Sequence, residues 1–118
     1  MHMIGQSEMQ HLDNEVLDEL QDIMGKDFSL LISTFVSDSL HRFESMRDHW
    51  VAGDMVALSR DVHSLKGSSS NVGAVSLSEF CQQLEVQVKA GEMDSIEMIL
   101  DMIGKERSTV CQLMEVFL

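Results

Sequence analysis

The chain contains no proline and no tyrosine, a single tryptophan, and only two cysteines and seven glycines among 118 residues. So few turn formers, with little β-branched alternation, argue against a strand-and-loop architecture and favour an all-helical domain. Basic residues are scarce as well: eight Lys and Arg stand against 20 Asp and Glu, a formal net charge of -12. An acidic surface of this kind repels phosphate backbones and anionic lipid, which makes nucleic acid and membrane surfaces poor partners. No apolar run approaches the roughly 18 residues of a membrane span, and no charged-then-apolar leader opens the chain, so a cytoplasmic protein is expected. Cys81 and Cys111 lie far apart, lack a CxxC partner and fall on apolar faces. That is the pattern of buried free thiols in a reducing compartment.

What the sequence does have is apolar residues in helical register. With 44% hydrophobic residues and 118 positions there is material for one domain with one core. Residues 1–11, polar and rich in methionine, read as a flexible terminus, and residues 12–118 as the domain. Asp13 is the expected N-cap of a short helix carrying Val16, Leu17, Leu20 and Ile23 and ending before Gly25. A long helix from about Asp27 to Ala52 follows, with Phe28, Leu31, Ile32, Phe35, Leu40, Phe43, Met46 and Trp50 inward. Asp54 caps a third helix with Leu58, Val62, Leu65, Ser69 and Val72 inward, and Gly73 ends it as a left-handed residue. Ser76 and Glu79 have the form of a capping box, with Val75 and Phe80 as its hydrophobic staple. The fourth helix so opened buries Leu77, Phe80, Cys81, Leu84 and Val88 and stops at Gly91. Asp94 with Glu97 begins a fifth, carrying Ile96, Ile99, Leu100, Ile103, Val110, Leu113 and Phe117 inward, with Gly104 as a possible bend. Short links force antiparallel neighbours, so the expected architecture is an up-down-up-down four-helix bundle with the first short helix covering one end.

One segment breaks the local rules. The run from His63 to Ala74 continues the third helix, yet it holds Gly67 and three consecutive serines. A glycine inside a helix costs about 1 kcal/mol relative to alanine, and the serines add smaller penalties. Such conflicts concentrate at functional sites. At helical spacing His63, Lys66, Gly67 and Ser70 share one face, so a nucleophilic nitrogen, a cation and a missing side chain stand together. Reflection through Gly53 sets His63 level with about Phe43, and reflection through Gly73 and Ala74 sets it level with Leu84 and Glu85. Arg42, Arg47, Gln82 and Glu85 are therefore the candidates to flank the imidazole. His63 directly follows the core position Val62, which places its ring at the edge of the core with its tip toward solvent. No serine, cysteine and acid set resembles a triad, and a convex helix face offers no cleft for a small substrate. A cation one turn from an exposed imidazole suits a phosphoryl group, and a residue without Cβ lets another protein approach closely.

These residues match a family. His63-x-x-Lys66-Gly67-Ser68-Ser69, followed by Gly73-Ala74 and Cys81-x-x-Leu84-Glu85, resembles the histidine-containing phosphotransfer (HPt) domain from about Leu12 to Phe117. Within it the chain resembles most the stand-alone bacterial proteins of the HptB type. The resemblance implies a four-helix bundle whose histidine takes a phosphoryl group from an aspartate of a receiver domain and passes it to another. It implies His63 as phosphoryl acceptor, Lys66 as the stabilising cation and Gly67 as the clearance residue, with Ser59, Ser70 and Arg42 sharing the docking surface. Some members hydrogen-bond the imidazole through a glutamine on the next helix. Glu85 holds that place here, with Gln82 beside it, and a carboxylate both orients a ring N–H and repels a phosphoryl group. The implied partners are receiver domains of hybrid sensor kinases and of response regulators. The implied protein is a monomeric phosphocarrier without kinase activity or a cofactor of its own, any divalent cation such as Mg being held by the receiver.

Two rival readings carry different expectations. A metal-carrying bundle needs two inward Glu-x-x-His pairs, and this chain offers Glu8 to His11 and the weaker imitation Asp38 to His41. A helical adaptor that binds receivers without transferring would have no need of His63, Lys66 and Gly67 together. His11 groups with the terminus, and His41 and His49 read as solvated positions on the long helix.

Overall fold

Glycines and aspartates punctuate the chain where apolar periodicity stops. In the computed structural model, which describes residues 10–118, they separate five α-helices: α1 Asn14–Met24, α2 Phe28–Ala52, α3 Met55–Asn71, α4 Val75–Ala90 and α5 Ile96–Met114. Single 3-10 turns at Gly25–Asp27, Met93–Ser95 and Glu115–Phe117 lead into α2 and α5 and close the chain. The Asp13 carboxylate accepts from the backbone of Glu15 and Val16, and that of Asp54 from Ala57, so both expected caps form. Each of α2 to α5 packs on its neighbour in the chain, and α5 returns to α2 to close an antiparallel four-helix bundle. Leu58, Val62, Leu65, Leu77, Leu84, Ile96, Leu100 and Ile103 are fully buried along its axis. Each such side chain contributes about 1.5–3 kcal/mol relative to an exposed position.

Of the glycines at the turns, Gly73 between α3 and α4 has the least room. Gly73 has φ 74, and a Cβ there would lie 3.1 Å from the carbonyl oxygen of Asp13 and 3.2 Å from the Cβ of Val16. Both conformation and space require glycine. This turn also fastens the incoming chain, for the Asp13 amide donates to the Gly73 carbonyl at 2.8 Å and the Ser76 amide to that of Gln10 at 3.1 Å. Here the expected capping box fails. Ala74 is the cap residue of α4 and Val75 its first helical residue, while the Ser76 hydroxyl donates to the Gln10 carbonyl. A tertiary contact has claimed the group that the local motif assigned to the helix end.

Three inward assignments also shift. Leu40 and Leu113 are 41% and 44% exposed, and Ser39 and Met114 take the inward positions. The burial steps of α2 run Phe28, Ile32, Phe35, Ser39, and from Val110 the next inward step on α5 is four residues rather than three. Ser39 is tolerated because its hydroxyl donates to the Val36 carbonyl and accepts from the Arg107 guanidinium at 3.1 Å. Ile23 is 80% exposed, and Met24 packs on the core in its stead. Phe80 and Val88 are partly rather than fully buried. Gly104, expected as a bend, sits within continuous α5 and makes room for Phe43, whose Cζ would stand 2.7 Å from any added Cβ. Both cysteines are free; Cys81 is buried, which pushes its thiol up to about 12, whereas Cys111 is only half-buried against Arg107.

Candidate functional site

With Val62, Leu65 and Ser69 in the core, His63 and Lys66 fall on the flank of α3 that faces α4, and Gly67 is exposed beside them. The His63 side chain is 71% exposed, but one edge of its ring is tied down: Nδ1 lies 2.9 Å from Oε2 of Glu85. The Glu85 side chain is only 8% exposed, and its other oxygen, Oε1, accepts from Nζ of Lys66 at 2.7 Å. Lys66 also donates to Oε1 of Gln82 at 3.0 Å. The Lys66 ammonium holds the Glu85 carboxyl below the usual glutamate range; burial opposes this, and the bond from His63 adds to it.

An ionised carboxylate only accepts, so its partner Nδ1 carries the ring proton. The lone pair of the neutral imidazole is then on Nε2, directed away from Glu85. This is the arrangement a nucleophilic histidine needs: one fixed tautomer and an accessible second nitrogen. Space for an incoming group is provided by Gly67, where nothing lies within 4 Å of an added Cβ.

Of the residues expected around the imidazole, Glu85 and Gln82 are brought together with His63 and Lys66, and the two arginines are not. Arg42 donates to Oδ1 of Asp61 at 3.0 Å, and Arg47 reaches Asp101 at 3.2 Å and Glu97 at 3.4 Å. Mirror arithmetic gives height along a neighbouring helix but not azimuth, and both arginines project to other flanks. Arg42 borders a polar groove with Ser64 and Ser68, on the other side of the α3 ridge. Ser59 lines a largely apolar groove with His63, Met55, Val56, Arg60, Val88 and Lys89. The Ser70 hydroxyl lies 2.7 Å from that of Ser78 and so bridges α3 to α4.

Sequence reasoning missed a second carboxylate. Asp61 is buried two residues before His63, and burial alone would raise its carboxyl; bonds from Ser45, His49 and Arg42 outweigh that and hold it below the usual aspartate range. His49, expected in solvent, is therefore engaged, with Nδ1 2.7 Å from Oδ2 of Asp61. The readable signal was an acid adjoining the inward position Val62. Glu106 is likewise buried and pairs with Nδ1 of His11 at 2.7 Å. Glu8, the other half of the metal motif, and most of the terminus expected to be loose lie outside the described residues. Asp38 and His41 are exposed on α2, and among the described residues no three His, Cys, Asp or Glu side chains gather as a metal site.

The family model for the Hpt domain matches residues 30–115. The chain belongs to the Hpt domain family. Its fold superposes with that of histidine-containing phosphotransfer protein B (HptB) from Pseudomonas aeruginosa PAO1 at a TM-score of 0.86 and 38% identity, covering 89% of this chain and 91% of the other. A putative histidine-containing phosphotransfer protein from rice has a TM-score of 0.79 over 91% of this chain and 82% of its own; at 21% identity this likeness shows the fold alone. Comparison with curated proteins finds no match. The function of this Hpt protein is histidine phosphotransfer in a phosphorelay, where Hpt proteins work with receiver domains.

Proposed function

We propose that His63 carries the phosphoryl group, on Nε2, between the aspartates of a donor and an acceptor receiver domain. The observation that carries this reading is the chain of contacts from Lys66 through Glu85 to Nδ1 of His63. Nε2 attacks the phosphorus of an aspartyl phosphate, the N–P bond forms, the P–O bond breaks and the aspartate leaves as a carboxylate. The ring becomes cationic as its lone pair is shared, and the Nδ1 proton remains hydrogen-bonded to Glu85, which stabilises that charge. Glu85 faces Nδ1 rather than Nε2 and is balanced by Lys66, so its negative charge does not oppose the incoming group. Return of the phosphoryl group to a second receiver reverses the same steps.

The donors and acceptors in this reading are receiver domains of hybrid kinases and response regulators. Any Mg ion is held by the receiver, and this chain acts as a cytoplasmic monomer. Ser59 and Gly67 belong to the face the receiver covers, with Ser70 and Arg42 at its margins. A transfer panel with phosphorylated receivers tests it. Wild-type protein is expected to acquire an acid-labile label, and His63→Gln to stay folded and acquire none. Labelling of His63→Gln at the wild-type rate refutes the assignment, and binding of receivers without any transfer favours the adaptor reading. ATP alone is expected to label nothing, since the chain has no glycine-rich nucleotide loop.

A further inference from the structure

Two imidazoles of this chain are mounted in the same way. At His63, Nδ1 meets one oxygen of the buried Glu85 carboxylate at 2.9 Å, and the other oxygen accepts from Lys66 at 2.7 Å. At His49, Nδ1 meets Oδ2 of the buried Asp61 at 2.7 Å, and Oδ1 accepts from Arg42 at 3.0 Å. Imidazole, carboxylate and cation thus follow one another twice, once between α3 and α4 and once between α2 and α3. The second set takes no part in the chemistry of His63.

Burial would raise the Asp61 carboxyl, but bonds from Ser45, His49 and Arg42 hold it below the usual aspartate range, so it is ionised. A carboxylate only accepts, which puts the proton of His49 on Nδ1 and its lone pair on Nε2. Among the described residues the Ser69 hydroxyl is the only buried side-chain polar atom without a partner. Nε2 of His49 has no partner either, its ring being held through Nδ1, so it reaches solvent. The side chain is 34% exposed, against 71% at His63. α2 ends at Ala52, so no further turn of that helix covers the ring. His11 and His41 lack this mounting. His41 is exposed with no carboxylate on its ring. His11 meets the buried Glu106, but among the described residues no Lys or Arg pairs with that acid. Balancing its buried charge requires a protonated His11, whose ring has no lone pair to give.

We propose that His49 is a second phosphoryl-accepting site, on Nε2, open to small N-phosphoryl donors of the phosphoramidate class and closed to receiver domains. Nε2 attacks phosphorus, the new N–P bond forms, the donor's P–N bond breaks and the amine leaves with the bonding pair. The ring becomes cationic and keeps its Nδ1 proton against Asp61, which stabilises that charge. Size sets the choice of donor: a ring 71% exposed can enter a pocket on another protein, whereas one 34% exposed admits only a donor of few atoms. The site is slower than His63, because the exposed Asp48 adjoins it and repels an incoming anion. It stands whether or not His63 is the carrier in a phosphorelay.

The experiment uses the His63→Gln protein, in which the first site is gone. It is incubated with phosphoramidate, and separately with a phosphorylated receiver domain; the label is mapped by peptide, and its isomer is read by NMR. Phosphoramidate is expected to label His49 as the Nε2 isomer about tenfold faster than His11 or His41, the worth of a charge-assisted hydrogen bond. The receiver is expected to label none of the three. In urea that unfolds the chain the preference for His49 should vanish, since Asp61 no longer holds the ring. Adding His49→Gln should remove the label. Asp61→Asn should bring His49 down to the rate of His41; because Asp61 is buried, the comparison of folded with unfolded His63→Gln protein decides the same point without that variant. Equal labelling of His49 and His41 in the folded protein, a mixture of Nδ1 and Nε2 isomers at His49, or no label there overturns the proposal. Label on His49 from the receiver overturns its restriction to small donors. The His63 reading is judged separately, by whether wild-type protein takes label on His63 from the receiver.

Discussion

Gly67 is the position at which the proposed docking role can be separated most sharply from the fold. It lies inside α3, exposed, and nothing stands within 4 Å of an added Cβ. Gly67→Ala therefore meets no steric opposition and gains the helix propensity that glycine forfeits, about 1 kcal/mol, part of it through the unfolded chain. For a domain of this size that corresponds to a rise in Tm of about 3–5 °C. A longer side chain keeps most of the gain: Gly67→Gln is expected to be at least as stable as the natural protein, for its side chain extends into solvent. That same side chain stands one helical turn from His63, on the face that the proposed docking gives to the receiver. Transfer from a phosphorylated receiver should decline from Ala to Gln, while labelling by phosphoramidate, which needs little room, is retained. Urea midpoints and both labelling rates measured on the same preparations decide the matter. A Gly67→Gln protein that unfolds would place this face inside the core and refute the placement of α3. One that folds and transfers at the natural rate would show that the receiver docks elsewhere.

Gly104 is expected to respond with the opposite sign, since a Cβ there meets Phe43 Cζ at 2.7 Å and Cε2 at 3.1 Å. Overpacking of a half-buried ring costs about 1–3 kcal/mol, enough to cancel the propensity gain, so Gly104→Ala should lower the urea midpoint and Phe43→Leu should relieve the loss; a midpoint raised as much as in Gly67→Ala would contradict the contact. Glu85→Gln keeps a hydrogen-bond acceptor for Nδ1 but removes the charge that stabilises the cationic ring, and transfer should slow by about 10- to 100-fold, the worth of a charged hydrogen bond; an unchanged single-turnover rate would rule out this role. Acid stability follows from the two depressed carboxyls, Glu85 and Asp61, whose ordinary values are 4.5 and 3.8. Their folded values are lower, so between folded and unfolded values the unfolded chain binds more protons and stability rises with pH. The contribution is complete above about pH 5 and is lost as pH falls below 4. Urea midpoints between pH 6 and pH 3 should show a shallower slope in Asp61→Asn and Glu85→Gln, and an unaltered slope in both would mean that other groups govern acid unfolding.

Residues near one another in the chain decide the helices and bring together the candidate site residues that share one helix. Apolar periodicity, Asp13 and Asp54 as caps, and glycine at the turns place α1 to α5, because these depend on residues within a turn of one another. The company of His63, Lys66 and Gly67 is legible for the same reason, and Glu85 follows because a short turn fixes the height at which two antiparallel helices meet. Azimuth is another matter. Arg42 and Arg47 have suitable heights and His49 reads as a solvated position, but only the packed bundle decides that Arg42 and His49 turn to Asp61 and Arg47 to Glu97 and Asp101. Tertiary structure likewise took Ser76 from its capping box to bind Gln10, and placed Ser39 rather than Leu40 inward where Arg107 satisfies its hydroxyl. It also paired Lys66 with Glu85 and set Arg60 and Lys89 on the groove, a distribution of charge that no spacing encodes because it depends on which side chains meet across helices.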